Sequence, residues 1–424
     1  MIRFILKGII NDRSRSLLPV IVVSIGVLLT VVMFCWIRGI MGESVRMNAN
    51  FTTGHLKVMT RAYQKDAEQM PNDLSIIGVN DQLKRLRNAY PGLDWVKRIR
   101  FGGLIDFPDS AGETRAQGPV VGWGMDLLSP NSKEGNRFNL AESLVKGRLP
   151  AKPGDALISD LFASKFYIRP GDSFTLLGTT MDGGMAFKNL IVSGTIRFGS
   201  SALDRGAIIA DISDIQLALG MNDAAGEILG FFDTGNYDND QATSDASSFN
   251  DNFKALKDEY SPVMVRLRDQ SGIAEFIDYV NSIGSVMIII FMVAMSIVLW
   301  NAGLLGGLRR YNEFGVRLAM GEDKGHIYRT LIYEAFFIGA IGSILGTIIG
   351  MGISWYLQSV GINISGFMKN SSLLMPSVAR AEITSSAWYI GFVPGLFSIV
   401  LGNALSGIGI YKRQTAQLFK DLEA

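Results

Sequence analysis

Residues 17–37 read LLPVIVVSIGVLLTVVMFCWI, 21 consecutive positions without a charged side chain. At about 1.5 Å per residue a helix of that length matches the roughly 30 Å hydrocarbon core of a bilayer. Three more uncharged runs follow at 279–308, 335–358 and 383–411, each long enough to cross with some tilt. Helices of soluble proteins rarely stay uncharged for so long. The chain therefore reads as an α-helical membrane protein with four transmembrane helices and a large α+β extracytoplasmic domain between the first and second. Arg3, Lys7, Arg13 and Arg15 precede the first run, as in a signal peptide. The run is too long for one, however, and Trp36-Ile37-Arg38 is no small-residue cleavage site, so it reads as a retained anchor.

Orientation follows from Lys and Arg in the short connecting segments. Residues 1–16, 309–330 and 412–424 hold 4, 5 and 3 basic residues, against 2 in the outer loop 359–382. Both termini and the 309–330 hairpin are thus expected in the cytoplasm, with spans at 17–37, 279–308, 331–358 and 383–411. Residues 38–278 then lie outside, with 26 basic and 31 acidic residues. An acidic exterior domain fits an aqueous compartment.

Within 38–278, short β-like runs such as Gly54–Met59, Phe174–Leu177, Leu190–Ile196 and Ala207–Ala210 alternate with helical patterns at 81–88, 159–166 and 211–219. Gly178–Gly184 reads as a hairpin tip. Residues 233–248, dense in Asp, Asn, Gly, Ser and Thr, read as a mobile loop, and their spacing does not match an EF-hand.

The overall charge of +1 argues against nucleic acid as a partner. Only two histidines occur, His55 and His326, and the topology separates them across the membrane. Cys35 is alone, so no intrachain disulfide forms. No G-x-S-x-G, H-E-x-x-H or C-x-x-C motif occurs, and no metal site is expected. Nor does G-x-x-x-x-G-K-S/T. A non-catalytic subunit is expected, with no cofactor of its own and any MgATP bound by a partner.

The hairpin carries the most specific pattern. Arg309-Arg-Tyr-Asn-Glu-Phe-Gly-Val-Arg-Leu-Ala-Met-Gly321 places Phe314, Leu318 and Gly321, or Val316 and Met320, at helical spacings, which predicts a short amphipathic helix ending near Gly321. Arg310, Glu313, Gly315, Val316, Ala319, Gly321, Ile327, Glu334, Gly339 and Gly342 match the motif of the FtsX-like permeases, and the chain resembles that family. The family includes lipoprotein-releasing and macrolide-exporter transporters, grouped as mechanotransmitting ABC transporters.

The resemblance implies two paired permease chains, alike or homologous, each docking its short cytoplasmic helix on one of two ATPase subunits. Arg310, Glu313, Phe314, Gly315, Val316, Arg317, Ala319 and Gly321 are then the ATPase-coupling residues. The motion would pass through the spans to the exterior domain, to extract or export a lipoprotein or other amphiphile. A mechanical transducer acting on an exterior hydrolase, or a receptor or scaffold without ATPase, are the alternatives. Gly339, Gly342, Gly346 and Gly350 line one side of the third span, where small residues let another helix approach. Met33, Met41, Met287, Met292 and Met295 lie on the first two spans or at their edge. Flexible thioethers suit acyl chains, and the resemblance puts these spans around a central cavity, which makes the five methionines candidate contacts for substrate or membrane lipid. Pro394, with Gly391 and Gly395, can kink the fourth span.

Overall fold

The computed structural model describes residues 13–109, 111–198, 203–256, 258–270, 273–308, 311–363 and 378–412. They fall into two compact units, one drawn from 13–43, 279–363 and 378–412, the other from 44–278.

Among the described residues, four helices are long and apolar enough to cross a membrane. Helix α1 (Arg13–Asn48) continues into a π-helical turn, Ala49–Thr53. In the second unit, β1 (Leu56–Thr60) is followed by α2 (Val79–Ala89), β2 (Leu93–Pro108), β3 (Thr114–Met125) and β4 (Leu144–Gly147). Next come β5 (Asp155–Ser159), α3 (Asp160–Lys165), β6 (Ser173–Thr179), β7 (Met185–Ile196), β8 (Ala207–Asp211) and α4 (Ile212–Ala218). The unit ends with β9 (Glu227–Phe232), α5 (Asn239–Phe253) and β10 (Pro262–Arg266). The remaining helices are α6 (Ile273–Leu308), α7 (Tyr311–Ala319), α8 (Lys324–Ser359), α9 (Ala387–Ile390) and α10 (Ser398–Lys412), with a second π-helical turn at Val393–Phe397.

The strands order as β10-β1-β9-β2-β3-β8-β5-β7-β4, and β6 pairs with both β2 and β7. That extra pairing closes β2, β3, β8, β5, β7 and β6 into a barrel, which leaves no free edge among those six strands. The 16-residue β2 serves both parts: Leu93–Arg98 pairs with β9, and Ile99–Pro108 with β3. Strand alternation points Ile105, Phe107, Phe174, Leu176 and Leu190 into one apolar core. On the outer face, Pro119, Leu104, Leu177 and Phe187 stand opposite one another across β3, β2, β6 and β7. The α+β character expected from the sequence is borne out, as are the four apolar helices.

One local expectation needs correction. The polar stretch 233–248 is not a loop throughout. Asp238 caps the amides of Asp240 and Gln241 and starts α5, whose Ala242, Ala246 and Phe249 are buried at helical spacing. Three apolar positions on one stripe outweigh a polar composition. The fourth span is interrupted where the sequence allows a kink at Pro394. Pro394 lacks the N–H that would complete the α-helical ladder, and the chain passes through the π-helical turn between α9 and α10.

Candidate functional site

Helix α7 ends in a Schellman arrangement. Glu322 N–H donates to Arg317 O at 3.1 Å and Gly321 N–H to Leu318 O at 3.1 Å, with Gly321 at φ +92° where a side chain would be strained. Asp323 then caps α8 by accepting from Gly325 N–H at 2.9 Å. The reversal between the helices is thus specified by its own hydrogen bonds.

Phe314, Ile327 and Leu331 are buried together, with Leu318 beside them, and pin α7 to α8. Gly315 is buried as well, while Glu313 and Arg317 are partly covered and Ala319 is exposed. Arg317 Nε lies 3.9 Å from Glu322, which also faces His326 at 3.7 Å. On the other side Val316 and Met320, one helical turn apart, are 49% and 75% exposed. Arg310 lies outside the described residues. α7 therefore has one face spent on its own helix pair and an apolar edge left open.

Helix α8 has two seams of small residues. An added Cβ at Gly342 would sit 2.7 Å from Val23 Cβ, at Gly346 2.5 Å from Ser24 O, and at Gly350 3.1 Å from Val31 Cβ, so this seam faces α1. Gly339 faces α10, with an added Cβ 2.9 Å from Ile399. Ser343 and Thr347 abut Gly395 and Gly391 of the fourth span, and both hydroxyls are buried without a partner. The methionines do not form one group. Met41 packs beside Gly284 and Met295 beside Gly26, between α1 and α6, whereas Met287 is 51% exposed. Met33 and Met292 are partly buried.

Sequence reading missed a buried ion network in the second unit. Glu134, fully buried on the one-turn helix Glu134–Arg137, accepts from Arg98 Nε at 2.5 Å, Arg98 Nη2 at 3.0 Å and Arg137 Nη1 at 2.8 Å. Arg98 Nη1 in turn donates to Asn50 O at 2.5 Å, inside the π-helical turn that continues α1. A π-turn offsets the backbone ladder, and a five-donor guanidinium can serve the displaced carbonyl. Burial alone would push Glu134 up. The charge and hydrogen bonds of Arg98, with help from Arg137, reverse that and hold it below the usual carboxylate range. The only hint in the sequence was the presence of charges between apolar strand positions.

The strands next to the membrane helices are neighbours. β1 pairs antiparallel with β10, Leu267 N–H donates to His55 O at 3.0 Å, and Gln270 Nε2 donates to Thr53 O at 3.0 Å. His55 is buried, and its Nδ1 accepts from Phe232 N–H at 3.0 Å. Burial first, then the charges of Arg137 and Arg46, depress its pKa to about 4. An unfolded histidine titrates near 6.5, so between these values the unfolded chain holds a proton that the folded chain refuses, and stability falls as pH drops. Acidification from pH 7 to pH 5 is expected to lower the stability of this unit by roughly 2 kcal/mol. Urea midpoints at the two pH values, with and without His55→Gln, check it. An equal drop in the variant would remove His55 as the cause.

Residues 285–415 match the family described as FtsX-like permease C-terminal. The resemblance to FtsX-like permeases read from the hairpin is thus borne out. The macrolide export ATP-binding/permease protein MacB of Wolinella succinogenes is 28% identical over 101 residues, which cover 23% of this chain and 16% of that protein. The alignment thus spans about a sixth of that relative's length. The crystal structure of the periplasmic region of MacB from Actinobacillus actinomycetemcomitans aligns with 55% of this chain and 95% of its own, at 10% identity and a TM-score of 0.36.

Proposed function

We propose, from the premise that residues 285–415 are an FtsX-like permease domain, that this multi-pass membrane chain is the permease subunit of an ABC transporter. The observation that carries the reading is α7: a short helix fixed to α8 through Phe314, with Val316 and Met320 left uncovered beside Arg317. Such an edge suits the cleft of an ATPase subunit, which would bind MgATP while this chain performs no catalysis. Two ATPases and a second permease chain, the same or homologous, complete the assembly. Support for pairing comes from α6, whose apolar length is largely uncovered within one chain, in contrast to the other three spans.

In this reading the spans begin at 17, 279, 331 and 383, the termini and the hairpin are in the cytoplasm of a bacterial inner membrane, and 38–278 is periplasmic. ATPase closure moves α7, and the glycine seams of α8 pass the motion to α1 and α10. The substrate is a lipoprotein or another amphiphile handled outside. The apolar outer row from Pro119 to Phe187 supports an amphiphile, Leu104 and Phe187 being 42% and 59% exposed. Met287, exposed on α6, is the methionine best placed to meet it or membrane lipid.

Val316→Arg with Met320→Arg is expected to reduce ATPase stimulation in the reconstituted complex at least tenfold, since truncating or charging an apolar hot spot costs about 2 kcal/mol or more. The exposure of both residues should leave the permease fold unchanged. Unaltered stimulation would mean that this edge of α7 is not where the ATPase docks.

A further inference from the structure

A polar side chain buried in a helix bundle has a ready acceptor in the carbonyl one turn back along its own helix. Thr30 Oγ1 donates to Gly26 O at 2.8 Å, and Asn403 Nδ2 to Ile399 O at 3.0 Å. Ser343 and Thr347 of α8 do not follow that pattern. The two residues are 0% and 4% exposed, and neither hydroxyl has a hydrogen-bond partner, although the carbonyls of Gly339 and Ser343 lie one turn back. An unpaired buried hydroxyl is unfavourable, so a second arrangement that pairs it is correspondingly favoured.

Both hydroxyls are aimed at the fourth span. An added Cβ at Gly395 would run into Ser343 Oγ, and one at Gly391 would lie 3.4 Å from Thr347 Oγ1. Between those glycines Pro394 has no N–H for the carbonyl of Ile390, and the chain takes the π-helical turn Val393–Phe397. Such a turn inserts i to i+5 bonds into an i to i+4 ladder. Moving it by one residue rotates the following carbonyls by about 100° and turns different ones towards α8.

The same glycines touch α1. An added Cβ at Gly391 would lie 2.5 Å from Val27 Cγ1, one at Gly395 would meet Val27 Cγ2, and one at Gly346 of α8 would lie 2.8 Å from Val27 Cβ. Val27, fully buried, is thus wedged between α8 and the fourth span. A rotation of the fourth span must displace it.

We propose that the π-helical turn at Val393–Phe397 is a two-state joint. In the state seen here Ser343 and Thr347 stand unbonded. In the other state the turn moves by one residue, both hydroxyls donate to carbonyls of the fourth span, and Val27 carries the change to α1. The joint is built from this chain alone, so it goes beyond ATPase coupling and does not depend on it.

The test uses 19F NMR of the full-length chain in phosphatidylcholine nanodiscs, without an ATPase and with trifluoromethylphenylalanine in place of Phe397, which is 62% exposed inside the turn. Two resonances are expected. Ser343→Ala with Thr347→Val keeps the shape of the contact and removes both donors, so the second state should lose about tenfold or more in population, two hydrogen bonds being lost from it alone. Thermal stability should be unchanged or higher, because the state seen here loses no bond. Thr30→Val, which removes a hydroxyl already bonded within α1, is the control and should leave the ratio in place. A single resonance in the parent would overturn the joint. So would a ratio that the double variant leaves within about twofold of the parent, or one that Thr30→Val moves as far. None of these outcomes bears on α7, because no ATPase is present in the assay.

Discussion

Glu134→Ala is expected to cost about 3–5 kcal/mol, enough to unfold the unit formed by residues 44–278 under mild conditions. The substitution strands Arg98, 1% exposed, without a counter-charge in the interior. It also removes one of the two carboxylates that hold Arg137. Asp94→Ala should cost much less, because Asp94 is 27% exposed and water can replace it. Removing both partners, as Arg98→Met with Glu134→Leu, should be milder than Glu134→Ala alone, since a missing pair leaves no orphan charge. Chemical denaturation followed through Trp95, buried in this unit, reads all three. If Glu134→Ala cost under 1 kcal/mol, the network would be peripheral, and Arg98 would not be what anchors the π-helical turn after α1.

Gly346→Leu should separate α8 from α1. Even the first carbon of a side chain there would lie 2.5 Å from Ser24 O and 2.8 Å from Val27 Cβ. The backbone oxygen cannot rotate aside, so the helices must part. Overpacking of a tight contact costs about 1–3 kcal/mol and sometimes more. In a membrane the lost helix–helix contact also removes the van der Waals packing that drives association. Gly352→Leu is the matched control, because nothing lies within 4 Å of its added Cβ. Thermal denaturation in detergent should therefore show a clear fall for Gly346→Leu and little change for Gly352→Leu. Equal behaviour of the two would mean that the seam does not hold the helices together.

What the sequence disclosed follows from which forces are local. Uncharged runs declare membrane helices because charge in hydrocarbon is penalised residue by residue. The hairpin was legible for a similar reason: Phe314 and Leu318 at i and i+4, then Gly321 and Asp323, are local signals for a helix, its stop and the next start. The third-span glycines were readable as a close-approach surface, but not their partners. The seam splits along the axis: Gly339 shares the face of Gly346 and Gly350 but lies about 10 Å nearer the start of α8, where it meets Leu396 and Ile399 while the others meet α1.

Long-range pairings were hidden. Barrel closure rests on β6 meeting β2, about 70 residues upstream, and no spacing rule encodes that. Arg98 and Glu134 are 36 residues apart and read as ordinary surface charges until the fold buries them. α5 was obscured by composition: Ser, Asn and Asp favour turns when counted together, yet Ala242, Ala246 and Phe249 supply the buried stripe. The methionines were grouped by their place on the first two spans, and Met41 and Met295 fall where α1 packs against α6.

The central claim is that α7 couples this chain to an ATPase. Native mass spectrometry of the complex released gently from its own membrane tests it most directly. The account predicts two permease chains with two ATPase subunits, retained when MgATP hydrolysis is trapped with vanadate and lost in the Val316→Arg, Met320→Arg variant. A chain that appears without any ATPase, trapped or untrapped, would contradict the account.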